Sequence, residues 1–361
     1  MLQLEHMNRP VSRATSHLLR RRAYPQRISL VFPIYNEEAA IPFLRGALEE
    51  FKRTVLGELE VVLVNDGSTD ETLALAADWA AEAPWVKVIH LSRNFGHQIA
   101  ATAGLDFATG DAVVLLDADL QDPLGVVHEM IDRYCEGYDV VYGQRRSRAG
   151  ETKIKLVTAW LFYRLMRAFV YEDLPLDSGD FRLISREFLD ALCQMRETHR
   201  FLRGMVAWAG YPSIAVPYER APRIAGQTKY PMRKMLAFAW TAATSFSAIP
   251  LRASVLFGVT ASLLGVEEGA RALLAFLFHW YVVPGWTSLM VVTCVIGGAI
   301  LICLGILGEY VGKLYEQSKG RPLYLVSRAF NVDNSVKELV ENSVMSRTTP
   351  TFGNDSTRTF V

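Results

Sequence analysis

The chain has 361 residues, of which 50% are apolar and 21% charged, and its 38 basic side chains balance its 38 acidic ones. Because half of the positions are apolar, intrinsic disorder is excluded for most of the chain. The zero net charge argues against a nucleic-acid-binding protein, which would carry a basic excess. The mean hydropathy of +0.14 is high for a soluble enzyme and low for a polytopic transporter. One part of the chain must therefore be far more apolar than the rest.

The N-terminal segment, residues 1–24, is basic and lacks the apolar core of a secretory signal. We expect a mobile leader here, ahead of a folded domain over residues 25–231. Within that domain, short β-rich runs alternate with helical stretches, which predicts βαβ units in a mostly parallel, Rossmann-like α/β sheet. The predicted strands are Ile28–Phe32, Glu60–Asn65, Val86–Leu91, Ala112–Asp117 and Asp139–Tyr142. The predicted helices lie near residues 38–54, 70–83, 97–108 and 124–136.

Polar motifs follow three of these strands, at the edge where ligands bind in such sheets. In the motif after the second strand, residues 65–71, we expect Ser68 and Glu71 to form a capping box that starts the next helix. Asp66 would then lie in a turn beside a helix N-terminus, where it could contact a polar heterocycle or serve only the turn. The motif after the fourth strand contains Asp117 and Asp119. Such a carboxylate pair is of the kind that binds Mg²⁺ or Mn²⁺ together with substrate phosphates.

The apolar residues concentrate towards the C-terminus. Trp286–Leu307 carries no charged residue, and its length of about 22 residues is enough to cross a bilayer as a helix. We expect two transmembrane helices within residues 251–310, an interfacial helix before them at 232–250, and a cytoplasmic tail after them at 311–361. Basic residues flank the helix pair on both outer sides and are missing from its connection. This pattern predicts a hairpin with the α/β domain and both termini in the cytoplasm.

Five ordered sequence blocks carry a family resemblance that extends over about residues 28–325. They are VFPIYNEE at 31–38, VNDGSTDE at 64–71, RNFGHQIAATAG at 93–104, LLDADLQDP at 115–123 and SGDFRLI at 178–184. In these blocks the chain resembles the family 2 glycosyltransferases with a GT-A fold. With its apolar C-terminal pair, it is most similar to the polyprenyl-phosphate glycosyltransferases of bacterial membranes, in particular the undecaprenyl-phosphate glucosyltransferases. Dolichol-phosphate mannose synthases are related.

The resemblance implies a role for each residue that matches a family motif. Nucleotide binding is implied for Pro33, Tyr35, Glu37, Asp66 and Asp117. A metal site for Mg²⁺ or Mn²⁺ is implied for Asp117, Asp119 and Gln121. Catalytic roles are implied for Asp180 and Asp119, and acceptor or diphosphate binding for Arg145, Arg200, Arg203 and Lys229.

Structural alternatives to these roles stay open at this point. Asp180 could be a carboxylate with structural partners only. Arg200 and Arg203 could be solvated charges on a helix face, and Arg145 could face lipid headgroups. We expect His97, in the third block, to be structural rather than catalytic.

The implied reaction transfers a sugar, most directly glucose from UDP-glucose, to undecaprenyl phosphate at the cytoplasmic face of the bacterial inner membrane. Direct attack by the acceptor phosphate would invert the anomeric carbon, and the product would serve cell-envelope or O-antigen glycosylation. Membrane lipids and further copies of the chain, a tetramer by family likeness, would be partners, and nucleic acid would not. Two alternatives remain. The donor could be GDP-mannose, UDP-N-acetylglucosamine or an aminoarabinose donor, or the chain could be a membrane scaffold whose GT-A domain does not catalyse.

Overall fold

A computed structural model of the chain describes four segments, residues 19–145, 178–220, 249–278 and 286–333. The chain divides into two units. In the described residues, the first unit comprises 19–145, 178–220 and 320–333, and the second comprises 249–278 and 286–319. Several predictions lie outside the described residues, namely Lys229, all but the last two residues of the interfacial helix at 232–250, residues 1–18 of the leader and residues 334–361 of the tail.

In the described part of the first unit, eight strands form one sheet. They are β1 Arg27–Ile34, β2 Glu58–Asn65, β3 Val86–Leu91, β4 Ala112–Leu115, β5 Val140–Arg145, β6 Ser178–Ser185, β7 Ser213–Tyr218 and β8 Val326–Phe330. Their order across the sheet is β7-β5-β6-β4-β1-β2-β3-β8. β6 and β8 run antiparallel to their neighbours, and the other neighbouring pairs are parallel. The predicted mostly parallel α/β sheet is confirmed, although β6, β7 and β8 were not among the predicted strands.

The helices of this unit lie in the connections between the strands. Within the described residues they are α1 Ile41–Lys52, α2 Thr72–Glu82, α3 His97–Phe107, α4 Val126–Cys135, α5 Arg186–Gln194 and α6 Leu202–Ala209. Apart from its first residue, each of β1 and β2 is buried along its whole length. Burial on both faces explains why these strands are nearly continuous apolar runs rather than alternating ones.

Helix α3 packs against the middle of the sheet at very short range. A Cβ atom at Gly104 would lie 2.3 Å from Cγ1 of Val31 and 3.0 Å from Cγ2 of Val64. Only glycine allows the helix backbone to approach β1 and β2 this closely. Because α3 follows β3 and returns along the sheet, its first turn lies at the carboxyl edge of the strands.

A buried charge network joins the amino-terminal halves of β1, β2 and β3. Glu60 is 6% exposed, and its carboxylate lies 2.5 Å from Lys87 Nζ. The same carboxylate accepts hydrogen bonds from Ser29 Oγ and from the backbone N and Oγ1 of Thr109, the last two at 2.8 and 2.6 Å. Burial raises the pKa of Glu60, but these partners together lower it below its ordinary value.

The predicted tail at 311–361 begins with the last residues of the helix Trp286–Ser318, and a later part of it, β8, belongs to the sheet. β8 pairs antiparallel with β3 and covers that edge of the sheet. Tyr324, which is 3% exposed, donates a hydrogen bond to Asp106 Oδ2 at 2.8 Å. Asn331 has a φ of 56°, and its side-chain amide donates to carbonyl oxygens at the end of α2 and the start of β3. These contacts fasten the segment that follows the apolar helices in sequence onto the α/β domain.

The described end of the predicted leader at 1–24 also contacts this unit, most extensively through Arg22. The Arg22 guanidinium donates to the backbone oxygen of Tyr138 at 2.9 Å and lies 2.5 Å from Asp139 Oδ1. The backbone N of Arg22 donates to the oxygen of Cys135 at 2.9 Å. The folded unit therefore begins ahead of the predicted boundary at residue 25, because Arg22 pairs with the buried carboxylate of Asp139 and Tyr24 packs against the core.

The second unit contains a pair of helices, α7 Ile249–Leu277 and α8 Trp286–Ser318. They contact each other, and Cys303 Sγ on α8 lies 3.3 Å from the backbone oxygen of Ser254 on α7. Among the described helices, one is long and apolar enough to cross a membrane by length and composition, α8 over Val295–Ser318. α7 carries Glu267 and Arg271 within its length, and its role as a first span stays a prediction.

We expect Glu60 to make the fold sensitive to acid. A carboxylate with a lowered folded pKa stabilises the fold above its unfolded pKa of about 4.3, and this stability is lost as the pH falls through the folded pKa. Glu60→Gln leaves Lys87 buried without its charge partner, so the free energy of unfolding at pH 7 should fall by about 3 kcal/mol. Thermal unfolding of the detergent-solubilised full chain, followed from pH 7 down to about pH 2, well below the ordinary Glu pKa of about 4.3, measures both effects.

The control is Glu50→Gln, which changes an exposed carboxylate on α1. Wild type and this control should lose stability in parallel as the pH falls, whereas Glu60→Gln should lose less. An equal pH dependence in all three proteins would contradict the assignment.

Candidate active site

One edge of the sheet brings the predicted motifs together. The carboxyl ends of β1, β2, β4, β5 and β7 lie at this edge, and antiparallel β6 begins there. In the register of β4 with β6, Leu115 is opposite Arg182. Asp117 lies two residues beyond Leu115 and Asp180 two residues before Arg182, so the two carboxylates occupy neighbouring positions. This is the edge at which open α/β sheets bind ligands.

Asp180 is surrounded by donors from three elements and is 8% exposed. Arg203 on α6 donates from Nε to Oδ1 at 2.8 Å. His97 and Gln98, in the first turn of α3, place their Nε2 atoms 3.2 and 3.3 Å from Oδ2. Arg182, on the same strand as Asp180, has its guanidinium 3.8 Å from Oδ1. Asp180 is therefore a fixed anion that holds α3, α6 and β6 together.

The electrostatics of this cluster keep Asp180 ionised. Burial raises the pKa of Asp180, but Arg203, His97 and Arg182 outweigh burial and hold that pKa well below its ordinary value. Burial also lowers the pKa of the Arg182 guanidinium to about 10. For His97, burial lowers the pKa, and the carboxylates of Asp180 and Asp117 raise it above its ordinary value. A carboxylate with so low a pKa is a weak proton acceptor, so this geometry favours an organising role for Asp180.

The loop after β4 presents the predicted metal ligands. Asp117 Oδ1 lies 3.7 Å from His97 Nε2, and Asp119 Oδ1 accepts a hydrogen bond from the backbone N of Gln121 at 3.2 Å. Between Asp119 and Gln121, Leu120 has a φ of 54°, which is unfavourable for a bulky side chain. Such strained residues persist where the surroundings fix them and are common at active sites.

The charge of this loop fits a divalent cation. Burial raises the pKa of Asp117, and the neighbouring carboxylates of Asp180, Asp122 and Asp119 add to the increase. A cation beside the loop would relieve this repulsion. Among the described residues, no group of three or more His, Cys, Asp or Glu side chains is arranged to hold a metal. A cation would therefore need ligands from a bound diphosphate and water, as Mg²⁺ usually does. Gln121 is 8% exposed, and its ligand role stays a prediction.

A second link connects this loop to the end of β5. The Tyr218 hydroxyl donates to Asp122 Oδ1 and lies 3.4 Å from Arg145 Nε, from which it accepts. The ring of Tyr218 packs edge-on against Phe181, with 5.5 Å between ring centroids. Burial raises the pKa of Tyr218 to about 12, so its hydroxyl stays protonated. The structure thus brings Arg145 to the same edge as Asp117 and Asp180.

The turn after β2 positions the start of α3. Asp66, which is 3% exposed, accepts hydrogen bonds from the backbone N of Phe95 at 2.7 Å and of Gly96 at 2.9 Å, one on each carboxylate oxygen. At Gly67, φ is +67° and a Cβ atom would lie 2.5 Å from the carbonyl carbon of Arg93, so glycine is required for this close approach. The hydrogen bonds of Asp66 assign it a positioning role, and its contact with a nucleobase stays a prediction.

The predicted capping box of Ser68 and Glu71 is wrong. Ser68 Oγ instead accepts a hydrogen bond from the backbone N of Asn36 at 2.9 Å, which joins the turn after β2 to the loop after β1. α2 begins at Thr72, whose backbone N donates to Asp70 Oδ1 at 3.1 Å. Glu71 is the N-cap residue and makes no side-chain capping bond. The serine hydroxyl is engaged by a neighbouring loop that local sequence spacing does not reveal.

The remaining predicted nucleotide-binding residues follow β1 or end it. Pro33 is buried within the strand, and Tyr35, directly after it, is 43% exposed. The backbone N of Glu37 donates to Thr72 Oγ1 at 2.9 Å. All three lie at the carboxyl edge, and their contacts with a nucleotide stay predictions.

Arg200 lies in a different cluster from Arg203. It is 9% exposed, donates to the backbone oxygen of Met195, and has Asp106 and Arg196 among its charged neighbours. Burial lowers the pKa of Arg200. Arg200 is therefore not a solvated charge on a helix face, and its predicted phosphate contact stays a prediction.

Sequence reasoning missed part of the Asp180 cluster. It gives Gln98 and Arg182 no role and does not connect His97 with Asp180, yet all three lie beside this carboxylate. The structural role expected for His97 stays a prediction. The signal was present, because these residues belong to the blocks RNFGHQIAATAG and SGDFRLI.

Comparison with known proteins agrees with this architecture. A family model for glycosyl transferase family 2 matches residues 29–193. The uncharacterized glycosyltransferase YkcC of Bacillus subtilis is 42% identical over 88% of this chain and 98% of its own. The chain belongs to glycosyl transferase family 2. It is accordingly a glycosyltransferase with a GT-A fold, as predicted.

Other relatives in this family carry more specific names. The prophage bactoprenol glucosyl transferase homolog of Escherichia coli is 38% identical over 84% of this chain and 99% of its own. The bactoprenol glucosyl transferase of Shigella phage SfV is 38% identical over 83% of this chain and 98% of its own. Among solved structures, glucosyl-3-phosphoglycerate synthase from Mycobacterium tuberculosis, in complex with Mn²⁺ and UDP-glucose, is 19% identical over 61% of this chain and 78% of its own, with a TM-score of 0.43.

We expect Asp66→Asn to loosen the start of α3. An asparagine would keep one acceptor oxygen but place an NH₂ group against one of the two backbone N–H donors, which leaves a buried donor unpaired at a cost of about 1–3 kcal/mol. Hydrogen exchange measured by mass spectrometry should show faster exchange in peptides that cover residues 93–99. Asp78→Asn, on the exposed side of α2, is the control and should leave those peptides unchanged. Unchanged exchange in Asp66→Asn would show that the carboxylate does not hold this loop.

Proposed function

We propose that this glycosyltransferase transfers glucose from UDP-glucose to undecaprenyl phosphate at the cytoplasmic face of a bacterial inner membrane. The observation that carries the proposal is the contact of Arg203 with Asp180 beside the carboxylates of the β4 loop. This edge combines an acidic loop that could bind a divalent cation with an arginine held in a fixed position. Both features suit a reaction between two phosphate-bearing substrates. The similarity to proteins named bactoprenol glucosyl transferases, across nearly their whole length, supports the choice of sugar and acceptor.

The arginines of this edge would bind the acceptor phosphate. The side chain of Arg203 is 32% exposed while its Nε contacts Asp180, so this arginine is accessible to a ligand at the edge. Arg145 lies at the same edge, where its Nε donates a hydrogen bond to the hydroxyl of Tyr218. A guanidinium matches the geometry of a phosphate and can donate two parallel hydrogen bonds to it. Arg200 and Lys229 complete the proposed set of phosphate-binding residues.

The proposed acceptor needs no general base. A phosphate monoester has a second pKa near 6 and is mostly doubly ionised at neutral pH. Its oxygen can attack the anomeric carbon directly, on the face opposite the leaving diphosphate, and the configuration at that carbon is inverted. The low pKa of Asp180 is consistent with this scheme, in which Asp180 orients Arg203 and His97 and accepts no proton.

The donor would bind on the other side of the site. Pro33, Tyr35 and Glu37 would line the nucleotide pocket, next to the loop that Asp66 holds. Asp117, Asp119 and Gln121 would hold Mg²⁺ or Mn²⁺, which when bound neutralises negative charge on the departing nucleoside diphosphate.

The membrane has a role in this proposal. The apolar length of α8 supports attachment to a bilayer, with α7 as the proposed first span of a hairpin and both termini in the cytoplasm. Residues 232–250 would lie at the interface. Attachment would confine the enzyme and its lipid acceptor to one surface and raise the frequency of productive encounters. Further copies of the chain, four in the proposed assembly, would be its protein partners.

The decisive experiment is a transfer assay with defined substrates. Membranes that contain the wild-type chain, incubated with undecaprenyl phosphate, Mg²⁺ and labelled UDP-glucose, should form a labelled glucolipid that chelation by EDTA abolishes. Asp119→Asn should lower the rate by roughly 100-fold, because it removes charge where the diphosphate is stabilised. Asp132→Asn, an exposed change on α4, is the matched control and should retain full activity.

Each contrary outcome overturns a separate part of the proposal. Full activity of Asp119→Asn in the presence of EDTA would overturn the metal site. Product from GDP-mannose, UDP-N-acetylglucosamine or an aminoarabinose donor, with none from UDP-glucose, would overturn the sugar. Correctly inserted wild-type protein that forms no glycolipid from any donor would overturn the transfer reaction and leave the scaffold alternative.

A further inference from the structure

Gln98, the second residue of α3, makes two side-chain contacts to different parts of the domain. Its Nε2 lies 3.3 Å from Asp180 Oδ2. Its Oε1 accepts a hydrogen bond from the backbone N of Leu202 at 3.0 Å. Leu202 is the first residue of α6, so one amide group connects the beginnings of two helices that are 104 residues apart in sequence.

The chemistry of the partners fixes the orientation of this amide. The ionised carboxylate of Asp180 can only accept a hydrogen bond, and the backbone N–H of Leu202 can only donate one. The NH₂ group must therefore face Asp180 and the oxygen must face Leu202. A side chain without both an acceptor and a donor at this position cannot satisfy the two partners.

The contact to Leu202 bears directly on Arg203. The next residue after Leu202 donates from its guanidinium Nε to Asp180 Oδ1. Gln98 thus holds the backbone at the base of Arg203 and contacts the same carboxylate that receives its guanidinium. The amide, the carboxylate and the arginine form a closed set of contacts, and this leaves Arg203 little freedom to swing away from Asp180.

We infer that Gln98 is a positioning residue for the lipid-phosphate acceptor, acting through Arg203. The inference rests on the proposed transfer to undecaprenyl phosphate, in which Arg203 contacts the acceptor phosphate. Gln98 fixes where the guanidinium stands before the acceptor arrives, so the enzyme does not have to order this side chain at each encounter. The turn on the nucleotide side is held separately by the hydrogen bonds of Asp66 to Phe95 and Gly96, so we expect loss of Gln98 to affect the acceptor more than the donor.

Gln98→Met tests this inference with little disturbance of α3. Methionine has a similar length and helix propensity to glutamine but no amide. The transfer assay should show kcat/KM for undecaprenyl phosphate lowered by roughly 10- to 100-fold, with KM for UDP-glucose unchanged. Gln26→Met, at an exposed position before β1, is the matched control and should leave both parameters unchanged.

A double mutant separates positioning from a general structural role. If Gln98 acts through Arg203, Gln98→Met should lower acceptor kcat/KM by less than about 3-fold in an Arg203→Ala background, because the group that it positions is gone.

The outcomes distinguish this inference from the proposed function. A wild-type chain that makes no glycolipid overturns the proposed function itself. An active wild type with an equally active Gln98→Met overturns the role of Gln98. Losses that multiply fully in the double mutant, or an equal rise in KM for UDP-glucose, would show that Gln98 does not act through Arg203.

Discussion

The buried anion of Asp180 is the constraint on which the rest of the site depends. A carboxylate removed from water is stable only with compensating donors, and here they come from β6, α3 and α6. His97 is 83 residues from Asp180 in sequence, so the compensation exists only when the sheet and both helices are assembled. A displacement of α3 or α6 would remove part of this compensation. The geometry around Arg203 is therefore maintained by the same interactions that stabilise the domain.

The first turn of α3 is held between two carboxylates from different strands. Asp66 binds the backbone N–H groups of Phe95 and Gly96, and Asp180 meets the side chains of the next two residues. The positive end of the helix dipole favours negative charge at both positions. Gly104 lets the same helix lie directly against β1 and β2. α3 therefore fixes the position of the turn held by Asp66 relative to the cluster around Arg203.

How far the sequence predicts this structure depends on where the partners lie. β1 and β2 were predictable because burial on both faces requires long apolar runs, and the carboxylate pair of the β4 loop was predictable because it follows such a run. Ser68 was misassigned because its hydroxyl contacts Asn36 in another loop. Tyr324 fell within the predicted cytoplasmic tail at 311–361 because its acceptor, Asp106, is 218 residues away. Local spacing predicts elements and strand-end motifs, whereas contacts between distant segments require the assembled sheet.

The position of Asp180 also gives the site two electrostatic sides. Its charge adds to the repulsion on Asp117, which raises that pKa and favours a cation there, and it fixes Arg203, which favours an anion. In the proposed transfer, negative charge leaves the acceptor phosphate as the new bond forms and grows on the departing diphosphate. A site that holds positive charge on both sides before the reaction needs little reorganisation as this charge moves. Asp180 lies between these two sides and affects both of them. It can remain ionised there because the donors around it already stabilise its charge.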